Sequence, residues 1–196
     1  QVALFKGGTA QRTRLAWMAQ MPDKVRLEFL APSGHPLAAL ASDGTLIYLR
    51  DNAGDRFHKN RYTRASLEPL VGVPVRLPDL IDYLTGRVPL VDAERSLLMD
   101  NPARDGYILE LRRWWGETAQ RIELAPDKSM VRRVVHFDAD GAPAYWVEPA
   151  DWKTIDGFTF PGHLRVASPT GGRIDVRLER FWPNAAIDEE AFRLTP

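Results

Sequence analysis

The sequence predicts a mainly β fold with a small helical part (α+β), built on one curved antiparallel sheet. Three observations carry this. Apolar and polar residues alternate with period two in stretch after stretch, which gives each strand one buried and one wet face, as antiparallel sheets have. Turn-forming residues separate these stretches at short intervals. Two adjacent windows of helical periodicity interrupt the strands at one place only.

In 12–20, Leu15, Trp17 and Ala19 share a face opposite Arg12, Arg14 and Gln20. In 24–30, Val25, Leu27 and Phe29 oppose Lys24, Arg26 and Glu28. Segments 36–41 and 45–50 also read as strands. After the helical part, Tyr107, Leu109 and Leu111 oppose Glu110 and Arg112, and Ile122 and Leu124 alternate with Arg121 and Glu123. Segments 130–137, 143–150 and 158–166 follow, and 173–179 sets Ile174, Val176 and Leu178 against Arg173, Asp175, Arg177 and Glu179. Pro32-Ser33-Gly34, Asp43-Gly44, Asn52-Ala53-Gly54, Asp140-Gly141, Asp156-Gly157 and Gly171-Gly172 supply the turns. The total is about ten or eleven strands, with no internal repeat and no linker, so residues 1–196 read as one domain.

The helical windows are 64–71, ending at Gly72, and 78–85, opening on Pro78 and stopping at Gly86. Leu67, Leu70 and Val71 stripe the first; Leu80, Ile81 and Leu84 stripe the second. A short helix is expected at 188–193, with Asp188 as N-cap, acidic residues in the first turn and Phe192 packing inward.

Composition narrows the function. Six Trp, eight Phe and five Tyr with 44% hydrophobic residues exclude a disordered chain. Basic and acidic residues balance at 26 each, which argues against nucleic acid held through phosphate contacts. The absence of cysteine excludes disulfides, thiolate metal sites and a cysteine nucleophile. No apolar run approaches the ~20 residues of a membrane-spanning helix, and no signal peptide is present. The sequence opens on Gln1 and enters a strand pattern at once, consistent with a leader removed upstream.

No catalytic constellation emerges. His35, His58, His136 and His163 have no metal-ligand spacing and read as surface or strand residues. Asp138-Ala139-Asp140-Gly141 reads as a polar turn, because a calcium loop would need a later glutamate. Glu28 with Arg26, Glu110 with Arg112 and Glu179 with Arg177 read as ion pairs on a wet sheet face. No catalytic residue, metal or cofactor is therefore expected. Trp114 and Trp115 are adjacent, so at least one must point outward or lie in a bend.

The stretch 22–90 carries a further signal. Pro22-Asp-Lys-Val-Arg-Leu-Glu-Phe-Leu-Ala-Pro-Ser-Gly34 leads to Ser42-Asp43-Gly44-Thr-Leu-Ile-Tyr48; the helical windows follow, joined by Val71-Gly72-Val-Pro74 and ended by Leu84-Thr-Gly86-Arg87-Val-Pro89. In order and spacing this resembles the LolA/LolB superfamily of periplasmic lipoprotein carriers and outer-membrane lipoprotein receptors. The late strand Arg173-Ile-Asp-Val-Arg-Leu-Glu-Arg-Phe181 resembles it too.

The resemblance implies an unclosed β-barrel whose concave apolar face, under a helical lid, holds acyl chains. It also implies the periplasm or the inner leaflet of the outer membrane, with peripheral association or lipid anchoring through a removed leader. The superfamily's N-terminal helix has no counterpart here. Its receptor exposes a leucine in the hairpin loop matching Pro32-Ser33-Gly34, where Ser33 stands in this sequence.

The expected cavity lining is Leu15, Trp17, Val25, Leu27, Phe29, Leu109, Leu111, Ile174, Val176 and Leu178, with Leu67, Leu70, Leu80, Ile81 and Leu84 beneath the lid and Ser33 as the membrane-loop candidate. The leading function is binding of lipid or lipoprotein acyl chains in the cell envelope. The alternative is an envelope sensor or assembly protein on the same scaffold, with a filled core and a protein partner. An enzyme is disfavoured by the missing acid/base constellation.

Overall fold

The computed structural model describes residues 1–6, 9–52, 56–61, 67–68 and 72–195, with backbone only at 6, 9, 10 and 61. Thirteen strands form one sheet: β1 Val2–Lys6, β2 Thr9–Gln20, β3 Lys24–Leu30, β4 Pro36–Asp43, β5 Leu46–Asp51, β6 Arg56–Arg61, β7 Arg95–Asp100, β8 Tyr107–Arg112, β9 Thr118–Leu124, β10 Val131–Phe137, β11 Pro143–Ile155, β12 Phe158–Ala167 and β13 Arg173–Arg177. The spatial order is β6-β5-β4-β3-β2-β1-β13-β12-β11-β10-β9-β8-β7. Every neighbouring pair is antiparallel.

Two meanders thus meet where β1 pairs with β13, through Val2↔Val176 and Leu4↔Ile174. The sheet is not closed: β6 and β7 are its two edges. The chain between them carries α1, Leu77–Leu84, and so must travel from one edge of the sheet to the other. A 3-10 turn, Glu189–Phe192, lies beyond β13.

The strands beyond the expected ten are β1, β6 and β7. β6 reads Arg-Phe-His-Lys-Asn-Arg, and Leu97 and Leu98 of β7 are both exposed. Edge strands lack the one-sided burial that writes an alternating pattern, so these two carry none. Of the first helical window only Leu67 and Glu68 are described; Leu70 and Val71 lie outside the described residues.

Each face of the sheet acquires a cover from the chain itself. The inner face receives Val73, Val75, Leu77, Leu80, Ile81 and Leu84 against Val25, Leu27, Leu40, Ile122, Val134, Val147, Leu164, Val166, Ile174 and Val176. The outer face of β3–β5 receives the segment after β13: Leu194 packs with Ala39, Ala41 and Tyr48, and Phe192 is fully buried. Asp188 caps the 3-10 turn by accepting from the Glu190 N–H at 3.0 Å, as its sequence position implies. Lys24 pairs with Glu189 at 2.7 Å, Arg26 donates to the Ala191 carbonyl at 3.0 Å, and Arg193 pairs with Asp43 at 3.3 Å. Arg26 is consequently half-buried and not simply solvent-facing, although it also holds its expected partner Glu28 at 2.6 Å.

Candidate functional site: the inner face and its lid

The lid is shaped by its own punctuation. Arg76 stands in extended conformation at the N-cap of α1, with proline in the first turn, where the missing N–H costs no helical hydrogen bond. Arg76 and Asp79 form a two-pronged ion pair at 2.7 Å, placing the carboxylate in the first turn where the helix dipole favours it. Gly86 ends the helix with φ +82, and a Cβ there would meet the Thr159 carbonyl oxygen of β12 at 2.2 Å. Glycine is thus required twice, for its backbone and for the close approach of the lid to the sheet. At the other end of the lid, Gly172 faces Gly72 so closely that a Cβ would meet the Gly72 oxygen at 2.0 Å. Ser168 donates to that same oxygen at 2.9 Å.

A buried polar cluster ties the middle of the lid to the sheet. Tyr83 of α1 meets Nε2 of His136, on β10, at 2.7 Å. Gln120 of β9 donates from Nε2 to the Pro89 carbonyl at 2.9 Å and accepts the Val91 N–H at 3.2 Å, and its Nε2 also lies 3.3 Å from His136 Nε2. These donors assign His136 as the tautomer protonated on Nδ1, with Nε2 accepting. Tyr145 stacks on the His136 ring at 4.4 Å and 11°. Burial, aided by the positive charge of Arg76, pushes the His136 pKa down from 6.5 to about 4; desolvation penalises the charged ring. Burial likewise raises the pKa values of Tyr83 and Tyr145, so at neutral pH the cluster holds three uncharged groups.

The structure brings most of the sequence-derived residues together. Val25, Leu27, Ile174, Val176 and Leu178 are buried on the inner face, with Leu15, Trp17, Phe29 and Leu109 partly buried against the same cluster. Leu111 is buried as well. Leu67, Leu80, Ile81 and Leu84 meet them from the lid. Ser33 is exposed in the β3–β4 turn. Trp114 and Trp115 occupy the β8–β9 turn, edge to face at 5.6 Å, and are 75% and 51% exposed.

Of the histidines read as surface or strand residues, His136 is a strand residue of β10 that is 8% exposed and faces the core. Its position two residues after Val134, on the same face of the same strand, was the available signal. Gln120, two residues before Ile122, carried the same signal and was equally overlooked. Among the described residues, no group of three His, Asp or Glu side chains could hold a metal ion. No helix among them is long and apolar enough to cross a membrane.

An open antiparallel sheet whose inner face meets a short helix, Leu77–Leu84, defines the class. No protein-family model and no curated protein matches the sequence. Solved structures match the fold. A DUF1329 family protein from Desulfovibrio piger superposes with TM-score 0.66 at 13% identity, over 98% of this chain and 86% of that one. A domain named for outer membrane lipoprotein sorting, from Vibrio parahaemolyticus, gives 0.65 at 15% identity, over 97% and 86%. A LolA superfamily protein from Nitrosomonas europaea gives 0.61 at 12% identity, over 98% and 87%. The fold of this chain is LolA-like.

Proposed function

We propose that this protein binds the acyl chains of lipids or lipoproteins on the inner face of its sheet, in the periplasm or at the inner leaflet of the outer membrane. One observation supports it above the others: among the described residues, the broad apolar inner face is covered by Leu67 and the connecting segment 72–91, and not by a second sheet. The lid and the sheet are in contact, so a ligand enters by displacing the lid, as in other lidded sites. Burial of alkyl chain then supplies the affinity at ~0.8 kcal/mol per CH₂, on the order of 10 kcal/mol for a chain of about fourteen carbons before binding costs. The lining comprises Leu15, Trp17, Val25, Leu27, Phe29, Leu109, Leu111, Ile174, Val176 and Leu178. No proton transfer, metal or cofactor enters this mechanism.

The test is titration of the wild-type protein with a fluorescent acyl probe, together with native mass spectrometry of the purified protein. Saturable binding or a co-purifying lipid supports the reading; neither overturns it. The replacement is an envelope sensor or assembly protein with a filled core. That second reading has its own support in the exposed Trp114–Trp115 pair, since exposed aromatic residues suit a protein partner.

A further inference from the structure

We propose that the outer face of the sheet, across β2, β1, β13 and β12, binds a ligand carrying clustered phosphate groups. The strands meet there in a fixed register. Ala3 of β1 pairs with Arg12 of β2 on one side and with Asp175 of β13 on the other, and Asp175 pairs with Arg165 of β12. Arg14 lies two residues from Arg12 on the same face, and Arg173 and Arg177 flank Asp175 in the same way. Neighbouring strands are ~4.8 Å apart, so these side chains converge on one patch. They line a groove of about 590 Å³, within the range of sites that take small molecules. Ala3 leaves the space: it is the small residue in the row, between Arg12 on one side and Asp175 on the other.

The charge in this groove is not compensated. Asp175 is the one carboxylate among the lining residues, against five arginines. It is already occupied by Arg165 at 3.0 Å and Arg173 at 2.9 Å, with His163 at 3.5 Å. Glu148, outside the groove, reaches Arg165 only at 3.8 Å. Arg12, Arg14 and Arg177 have no ion pair with any described acidic residue.

Several arginines outside the groove are held by carboxylates. Glu110 takes both Arg112 and Arg121, Asp79 takes Arg76, Asp82 takes Arg87 and Asp43 takes Arg193. In a chain with no net charge, three arginines without an ion pair stand together in one concave place, beside two more that share a single carboxylate. Unpaired forks of this kind match phosphate oxygens two at a time. Three such groups suit a ligand with more than one phosphate, whether a soluble polyphosphate or the headgroups of an anionic lipid surface. The groove lies on the opposite face from the apolar lining and stands or falls independently of acyl binding.

The experiment titrates the protein with tripolyphosphate by calorimetry, and separately measures its co-sedimentation with vesicles of phosphatidylcholine with or without phosphatidylglycerol. The wild type should bind at least one of the two anionic probes, more weakly as sodium chloride is raised. The double variant Arg12→Ala/Arg177→Ala should lose about tenfold or more in affinity, while Arg104→Ala, an exposed change outside the groove, should not. Thermal melting verifies that the double variant is folded, as expected for two exposed, unpaired side chains. Tripolyphosphate binding alone identifies a soluble ligand; retention on phosphatidylglycerol vesicles alone identifies a headgroup. Binding of neither probe, or equal binding by wild type and double variant, overturns the proposal.

Discussion

The two covers of the sheet differ in what holds them. Segment 72–91 lies on the inner face through Leu77, Leu80, Ile81 and Leu84, with its polar contacts to the sheet neutral and buried at Tyr83, His136 and Gln120. Segment 178–195 reaches the outer face of β3–β5 through Phe192 and Leu194, ringed by charge pairs at Glu189 and Arg193 that are largely exposed. Displacing the inner cover therefore exposes apolar surface on both partners and strips buried hydrogen bonds of their mates. Loosening the rim of the outer cover mainly exchanges ion pairs for water. The same chain chemistry gives one attachment that is insensitive to salt and one that is screened by it. A ligand for the inner face must compete with the first kind, and only another apolar surface can do so.

The largest effect expected from this contrast is at Leu84, which is 1% exposed at the heart of the inner cover. Leu84→Ala should cost about 3 kcal/mol, the usual range for a fully buried leucine being roughly 2–5. Urea unfolding would measure it. A loss below about 1 kcal/mol would mean that the lid is not held by its apolar stripe.

His136 sharpens the comparison next. Its folded pKa is about 4 against 6.5 for the free side chain, so between those values the unfolded chain takes up a proton that the folded one refuses. Its contribution is complete above pH 6.5 and is lost as the pH falls towards 4, on the order of 3 kcal/mol in total. Stability of the wild type should therefore fall more steeply over that window than stability of His136→Gln. Parallel slopes for the two proteins would place the ring in contact with water.

The sequence made the inner strands legible and left the lid and edges obscure, for physical reasons. Leu15, Trp17, Val25, Leu27, Ile174 and Val176 each sit in a strand buried on one side, which forces a period of two. β6 and β7 have no such constraint. The polar cluster was hidden because His136 and Gln120 occupy core positions with polar side chains, and periodicity reports apolar ones. The arginine groove was half legible: alternation put Arg12, Arg14, Arg173 and Arg177 on the outer face. Only the pairing of β1 with both β2 and β13 brings them together, because strands distant in sequence carry no mark of their neighbours. The glycines at 86 and 172 read as ordinary turn residues, whereas lid and sheet are pressed together at both.

The smallest effect is expected at Arg193, and it tests the outer cover most directly. Arg193 donates to Asp43 at 3.3 Å from a side chain that is 67% exposed. Asp43 does not depend on it. Burial would raise the Asp43 pKa, but the N–H groups of Leu46 and Thr45 and the hydroxyl of Tyr48 outweigh it and leave the pKa below its ordinary value, with Arg193 the last of the contributors. A carboxylate held this way stabilises the fold above its ordinary pKa and loses that stabilisation as the pH falls through the lowered one. Removing the arginine should leave most of this intact. Arg193→Ala should thus cost less than about 1 kcal/mol, and less still at high salt. The adjacent Phe192→Ala, which empties a fully buried site, should cost several times more, about 3 kcal/mol, unless local release of segment 178–195 limits the loss. Chemical denaturation of the two variants at low and high salt compares them. A salt-independent loss at Arg193 as large as that at Phe192 would show that the rim of the outer cover is not a set of weak, screened ion pairs, and the distinction between the two faces would fail.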